Sequence, residues 1–323
     1  MLPAIFSFSA GLVVMLVSAK IFLDLVTELS AKWKFSPLFI SLVIVALGTN
    51  LPELTVTIAA LGHGDPGLAM GNVVGSSIAN ITIILGAATL FGNVRIGTTK
   101  TPKNAFLLLL ITVLFSVLTL SSVSTIYKVI LLSAAVFVSF VYEYILALNG
   151  RLHEDKKLLK LIAKLSNKKP KFPKIVYIIL FLGSIAGLSV GGNITVNSVT
   201  DLSHLLNLST TVLGLTLTAI ATSLPELLMS IIASNKKDSK VVLGTLIGSN
   251  IFNLTFFPAI IFISTMGIQI KKFISIKEIF FLLLSTLVFY LLVKKRNGET
   301  VSKDISVLLI TIFAVYSVFI FYL

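Results

Sequence analysis

Long apolar runs recur from one end of this chain to the other, and they constrain its fold more than any other feature. Each run is about 20 residues long, which is the length an α-helix needs to cross the hydrocarbon core of a bilayer. Of the 323 residues, 56% are hydrophobic and only 12% are charged, whereas a soluble domain carries about 25% charged residues. Because so apolar a chain cannot cover itself with polar surface, we predict an all-α membrane protein.

The runs predict ten transmembrane helices, joined mostly by short connections rich in Pro, Gly, Asn and Ser. We place them at residues 4–29, 37–61, 67–91, 104–121, 124–148, 174–201, 209–234, 241–265, 273–293 and 304–323. One connection, 150–173, is longer and strongly basic. We interpret it as a solvated cytoplasmic linker between a first unit, 1–149, and a second unit, 174–323. Attraction of this linker to anionic membrane lipid is the alternative interpretation.

Positive charge is distributed unevenly over these connections. With the N-terminus outside, most of the 26 Lys and Arg residues fall in inner connections, whereas the outer ones hold Lys271 and Lys272. Since basic residues favour the cytoplasmic side, we expect both termini outside. The confinement of positive charge to connections argues against nucleic-acid binding, and the absence of cysteine excludes thiol chemistry.

The sequence also matches itself at one fixed offset, the offset that places Glu53 over Glu226. Residues 46–54 (ALGTNLPEL) align with 219–227 (AIATSLPEL), and 71–80 (GNVVGSSIAN) align with 244–253 (GTLIGSNIFN). A Pro-Glu pair and a Gly-Ser-x-x-x-Asn pattern shared at one offset indicate an internal duplication. Because each copy has five spans, an odd number, the second copy is predicted to be inverted relative to the first. Many secondary transporters have this inverted-repeat design.

Two glutamates, Glu53 and Glu226, lie in the middle of the second and seventh predicted spans, each directly after a proline. A carboxylate there costs roughly 2.5–3.5 kcal/mol by insertion scales, so two at equivalent positions indicate a functional site. The prolines break the helical ladder and free backbone carbonyls. The nearby oxygen-bearing side chains are Thr49, Asn50, Ser76, Ser77, Asn80, Thr222, Ser223, Ser249, Asn250 and Asn253. Such hard ligands favour calcium or sodium.

The two aligned stretches resemble the α-repeats of the calcium/cation antiporter superfamily. Its sodium/calcium exchangers carry Gly-Thr-Ser-Leu-Pro-Glu, followed by Gly-Ser-x-x-x-Asn or Asp. The resemblance implies exchange of Ca²⁺ for Na⁺ by alternating access, by a chain that functions as a monomer and needs no cofactor. It further implies that the ions are bound by Glu53, Glu226, Thr49, Thr222, Asn50, Ser223, Ser76, Ser249, Asn80 and Asn253, and by the backbone carbonyls of Ala46 and Ala219.

Three positions depart from the family pattern. Asn50 stands where Ser is usual, Ala221 replaces the motif glycine, and Asn253 stands where some members have Asp. The glutamate pair is intact, so the calcium site is expected to be retained, while Asn50 alters a sodium-lining position. A proton/calcium exchanger is therefore the alternative. A channel is a more distant one, because channel filters are usually built by symmetry between subunits. The predicted spans contain no nucleophile–base constellation that would suggest an enzyme.

Overall fold

A computed structural model describes residues 1–32, 50–97, 100–142, 145, 174–235, 239–265, 273–296 and 298–322. In these ranges the chain is helical apart from turns, short loops and an isolated β-bridge. Among the described residues, eight helices are long and apolar enough to cross a membrane, and a pair bent by 43° makes a ninth if it is counted as one span. The predicted all-helical membrane architecture is confirmed. The first part of the predicted span 37–61 and the linker 150–173 lie outside the described residues.

The helices follow the order of the predicted spans. Those of the first half are α1 (Leu2–Lys32), α2 (Leu51–Gly62), α3 (Pro66–Ala79), the π-helix π1 (Asn80–Ile84), α4 (Leu85–Phe91), α5 (Lys100–Leu120) and α6 (Thr125–Tyr142). Those of the second half are α7 (Lys174–Leu206), α8 (Thr210–Leu213), π2 (Gly214–Thr218), α9 (Ala219–Thr222), α10 (Leu224–Asn235), α11 (Ser239–Leu254), α12 (Phe256–Ser264), α13 (Ile276–Lys295) and α14 (Lys303–Tyr322).

Several helix bounds recur at the same offset that relates the aligned motifs. Helices α2 and α10 each comprise 12 residues and begin at Leu51 and Leu224. Helices α3 and α11 begin at Pro66 and Ser239. The backbone is therefore similar in the two halves where their sequences are similar.

The helical ladder is also interrupted at related places in the third and eighth spans. In the first half, π1 begins at Asn80, between α3 and α4. In the second half, α11 ends at Leu254 and α12 begins at Phe256, one turn or less from the equivalent Asn253. Such interruptions of a helix are frequent at functional sites because they redirect backbone carbonyls and side chains.

The spans that contain these interruptions form the centre of the molecule. In the apolar windows of Pro66–Phe91 and Val242–Ser264, 83% and 78% of the residues are buried, compared with 17% in α6. Helices α1 and α7 pack along each other, and α2 packs against both α3 and α7. The Gly-Ser-x-x-x-Asn motifs therefore lie on well-buried helices.

Two connections from different halves pair with each other at one end of the bundle. Arg95, which follows α4, forms an antiparallel β-bridge with Thr300, which precedes α14. The N–H of Ile96 donates to the carbonyl oxygen of Glu299 (2.9 Å). The N–H of Arg95 also donates to the hydroxyl of Ser239, the first residue of α11 (2.7 Å). These contacts join the ends of α4, α11, α13 and α14.

Candidate cation site

The site is built at two helix breaks, directly before α2 and directly before α10. Asn50 (φ −92°, ψ 8°) and Ser223 (φ −85°, ψ 9°) precede these helices with nearly the same backbone conformation. Glu53 and Glu226 lie in the first turn of α2 and of α10, each directly after a proline. The positive end of a helix dipole stabilises a carboxylate in this position. Both side chains are buried, with 1% and 0% of their surface exposed.

Glu53 is hydrogen-bonded directly to the opposite half of the chain, and Glu226 is linked to it through Ser249. The hydroxyl of Ser223 donates to Oε1 of Glu53 (3.1 Å), and the hydroxyl of Ser249 donates to Oε1 of Glu226 (3.3 Å). The amide Nδ2 of Asn50 donates in turn to the hydroxyl of Ser249 (3.3 Å). Within the described ranges, the Oε2 atoms of both glutamates have no hydrogen-bond partner. The two carboxylates are close enough to interact electrostatically.

Helix α3 crosses π2 and α9 so closely that a side chain would not fit between them. A Cβ atom added to Gly75 would lie 2.4 Å from the carbonyl oxygen of Leu215, a distance that only glycine avoids. The crossing brings the hydroxyl of Ser76 within 3.4 Å of the carbonyl oxygen of Ala219 and within 3.4 Å of the Thr222 hydroxyl. Three of the predicted site residues are therefore brought together across the two halves.

The amide side chains link α3 and π1 to α11. Nδ2 of Asn80 donates to Oδ1 of Asn250 (3.0 Å), and Nδ2 of Asn250 donates to the carbonyl oxygen of Ser77 (3.1 Å). Asn253, the equivalent of Asn80, is fully buried, and neither atom of its amide has a hydrogen-bond partner among the described residues. Asn80 thus takes part in an inter-helix network through Nδ2, while its Oδ1, like both amide atoms of Asn253, has no hydrogen-bond partner among the described residues.

Three buried polar residues beside the predicted set were missed by the sequence analysis. Oδ1 of Asn72 accepts a hydrogen bond from the hydroxyl of Thr222 (3.2 Å). Helical spacing alone predicts that Asn72 lies near the site, because it is one turn before Ser76 on the same face of α3. Thr57 and Ser230 each lie four residues after a glutamate and are buried as well. They also align with each other at the offset of the repeat, so the repeat contained a signal for them.

Two predicted site residues, Ala46 and Thr49, lie outside the described residues. Among the residues with described positions, no group of three or more His, Cys, Asp or Glu side chains could hold a metal ion. A cation bound here would therefore be neutralised by two carboxylates and coordinated otherwise by neutral hydroxyl, amide and carbonyl oxygens. Calcium and sodium accept such ligands, whereas soft metals prefer sulfur.

Comparison with known proteins agrees with this chemistry. Residues 3–148 and 176–322 match the sodium/calcium exchanger protein family. The chain is 26% identical over 275 residues to the sodium/calcium exchanger MaX1 of Methanosarcina acetivorans, covering 76% of this chain and 78% of that protein. It is 29% identical over 315 residues to the inner membrane protein YrbG of Escherichia coli, with coverage of 97% and 95%.

A solved structure of the sodium-calcium exchanger NCX_Mj, soaked with 10 mM Na⁺ and 10 mM Sr²⁺, has the same fold. The TM-score is 0.60 at 25% sequence identity, and the match covers 97% of this chain and 96% of that one. The family match spans almost the whole chain and includes both motifs around the glutamates. The chain is therefore a membrane antiporter that belongs to the sodium/calcium exchanger family.

Proposed function

We propose that this antiporter exchanges Ca²⁺ for Na⁺ by alternating access at a midplane site formed by Glu53 and Glu226. The observation that carries the proposal is the buried pair itself, one glutamate from each half, each with one oxygen held by a serine. Two carboxylates balance one Ca²⁺ or an equivalent load of Na⁺. Uncompensated carboxylates are costly inside a membrane, so the protein is expected to switch between its outward-open and inward-open states poorly when no cation is bound. Transport of one ion in one direction then requires transport of the other ion in the opposite direction.

The neutral oxygens around the pair are proposed to complete the coordination. Calcium takes about six to eight oxygen ligands at roughly 2.3–2.6 Å, more than two carboxylates supply. The proposed additional ligands are Asn50, Ser76, Asn80, Thr222, Ser223, Ser249, Asn253 and the carbonyl of Ala219, together with Thr49 and the carbonyl of Ala46 beyond the described ranges. Since both halves of one chain provide them, a monomer is sufficient and no cofactor is needed.

We attribute the arrangement to two inverted repeats of five helices, 1–149 and 174–323, giving ten spans in all. The recurring helix bounds support the duplication. The charge distribution supports an orientation with both termini outside and the linker 150–173 inside, in the cytoplasm. Attraction of the linker to anionic lipid is the alternative.

Labelling with a membrane-impermeant thiol reagent tests this orientation, and the absence of cysteine makes the natural chain a clean background. We expect Leu2→Cys and Gly62→Cys to react in right-side-out membrane vesicles, and Lys164→Cys to react in inverted vesicles. Reaction of Leu2→Cys and Lys164→Cys from the same side would contradict the ten-span inverted arrangement.

Exchange of Ca²⁺ for protons is the second candidate, and it is favoured by the two buried carboxylates, each with an oxygen that has no hydrogen-bond partner among the described residues. A carboxylate that binds Ca²⁺ in one state can bind a proton in the other, so the same pair could couple to either ion. Asn50 also replaces the hydroxyl that the family pattern places at a sodium-lining position.

Uptake of radiolabelled calcium into proteoliposomes separates these possibilities. We expect uptake to require sodium inside the vesicles and to stop when the internal sodium is replaced by choline at equal pH. Uptake driven by an imposed pH gradient without sodium would assign proton exchange instead. Calcium flux that needs neither counter-ion would indicate a channel.

A further inference from the structure

A small group of buried hydroxyls has no hydrogen-bond partner. In the part of the chain with described positions, these hydroxyls belong to Thr57, Thr119, Thr218 and Ser230. Many other buried hydroxyls donate to the carbonyl four residues earlier, as Ser77 does to Val73 (2.9 Å) and Thr112 does to Leu108 (2.8 Å). That local bond is the usual way to satisfy a hydroxyl on a transmembrane helix. The four exceptions therefore require another explanation.

Two of the four, Thr57 and Ser230, occupy equivalent positions in the two halves. They are separated by the same interval that separates Glu53 from Glu226. Thr119, by contrast, aligns with Leu292 in the second half, which has no hydroxyl. Each lies four residues, one helical turn, after its glutamate and on the same helix face. Their side chains are 0% and 1% exposed. A buried hydroxyl without a partner loses its hydration, and Val or Ala would avoid that loss. The duplicated halves have kept a hydroxyl in both places.

Under the proposed inverted topology, the two hydroxyls lie on opposite sides of the central site. Helix α2 runs from the break at Asn50 to the turn after Gly62, so Thr57 lies between Glu53 and the face that carries this turn. Helix α10 runs from the break at Ser223 to Asn235, at the connection to α11. Under the proposed inverted topology these two connections lie on opposite faces. Thr57 is then on the outer side of its glutamate, and Ser230 is on the inner side.

The glutamate one turn before each hydroxyl also has an oxygen without a hydrogen-bond partner among the described residues. These oxygens are Oε2 of Glu53, four residues before Thr57, and Oε2 of Glu226, four residues before Ser230. A buried water needs about two to four polar partners, and a hydroxyl with a carboxylate oxygen provides two. A calcium ion that leaves the protein ligands must take up water oxygens in their place. A hydroxyl can bind that water or the ion itself.

We propose that Thr57 and Ser230 are transit ligands for a partly hydrated cation. Each acts with the glutamate one turn away, Thr57 for ions that enter or leave by the outer face and Ser230 for those that use the inner face. The inference rests on the proposed exchange function. It assigns the first half of the site to ions that use the outer face and the second half to ions that use the inner face. It assigns two ion-contacting residues outside the set predicted from the repeat motifs.

The test compares Thr57→Val and Ser230→Ala with Thr119→Val, a matched control that removes a buried, unpartnered hydroxyl from α5. Sodium-loaded right-side-out and inverted vesicles give the apparent KM for Ca²⁺ at each face, and labelling of Gly62→Cys identifies the outer face. We expect Thr57→Val to raise the KM at the outer face roughly tenfold, the effect of losing one hydrogen bond to a charged group. Ser230→Ala should do the same at the inner face, and Thr119→Val at neither.

Conservative variants keep the test decisive. Thr57→Ser and Ser230→Thr should restore the wild-type KM, because they retain the hydroxyl, and Thr57→Ala replaces Thr57→Val if the latter does not reach the membrane. An equal change at both faces, no change beyond that of Thr119→Val, or failure of the hydroxyl variants to restore KM would overturn the inference. Absence of sodium-dependent exchange in the wild type would instead reject the proposed function.

Discussion

The helix break before Glu53 and the break before Glu226 share a backbone conformation but differ in their contacts. At the second break, Ser223 donates directly to the glutamate of the first half (3.1 Å). At the first break, Asn50 donates to Ser249, which donates to the glutamate of the second half. The comparison teaches that the backbone and the carboxylates are similar in the two halves, while the neutral side chains beside them differ. The two halves of the site are therefore expected to contribute unequally to the binding of different cations.

The largest expected effect comes from removing either carboxylate, because the two glutamates are the feature that the halves share. Glu53→Gln or Glu226→Gln should each reduce calcium uptake more than a hundredfold. Loss of one charge from a buried charged cluster costs about 3–5 kcal/mol of interaction. Uptake of radiolabelled calcium into sodium-loaded proteoliposomes measures the effect.

The same substitutions should leave the protein folded, since Gln retains the size of Glu and relieves the repulsion between the carboxylates. The melting temperature in detergent is the control, and we expect it to be unchanged or raised. Calcium uptake close to the wild-type level in either variant would show that the pair does not form the transport site.

A smaller but still severe effect is expected where α3 crosses the second half. Gly75→Ala places a methyl group 2.4 Å from the carbonyl oxygen of Leu215, so the helices must move apart. Overpacking of this kind costs about 1–3 kcal/mol, and it should displace Ser76 from Ala219 and Thr222. We expect a lower melting temperature together with reduced calcium uptake.

Gly183→Ala on α7 is the matched control, because an added Cβ there meets no described atom within 4 Å. It should leave both the melting temperature and the uptake unchanged. If Gly75→Ala behaved like Gly183→Ala, the close crossing would not be needed to assemble the site.

The paired asparagines Asn80 and Asn253 should differ in their contribution to stability. Asn80→Ala removes a donor to Asn250, and leaving a buried partner unsatisfied costs about 1–3 kcal/mol. Asn253→Ala breaks no hydrogen bond within the described residues. We therefore expect the first variant to lower the melting temperature and the second to raise the apparent KM for the ions without doing so. Equal losses of stability would contradict the difference between the halves.

The smallest expected effect concerns the two residues at the breaks. Asn50→Ser restores the usual hydroxyl, and we expect it to change the sodium dependence of uptake by about threefold to tenfold, the equivalent of one net hydrogen bond. Calcium affinity should change less, since the glutamates are proposed to dominate it. The reciprocal Ser223→Asn tests the second half. An Asn50→Ser variant altered in calcium affinity alone would reject the assignment of this position to sodium.

Much of this site could be predicted from sequence because its chemistry is carried by the repeat. Glu53, Glu226 and the helix breaks beside Pro52 and Pro225 follow from residue type and spacing alone. The contact of Asn72 was missed because its counterpart in the repeat is Thr245, so the alignment gave no match. The π-helices were missed for a different reason. An added residue in one helical turn is set by packing against neighbouring helices, which a periodic sequence pattern does not record.

The close crossing of α3 with the second half also has a consequence for synthesis in the cell. Ser76 and its partner Ala219 are separated by 143 residues. At about 5–20 residues per second, the ribosome delivers the second partner roughly 7–29 seconds after the first. During that interval Asn72, Ser76 and Asn80 lie in a membrane without their partners from the second half. The nascent first half is therefore an inserted but unfinished protein, and the speed of translation sets how long it is exposed to proteolysis and misassembly.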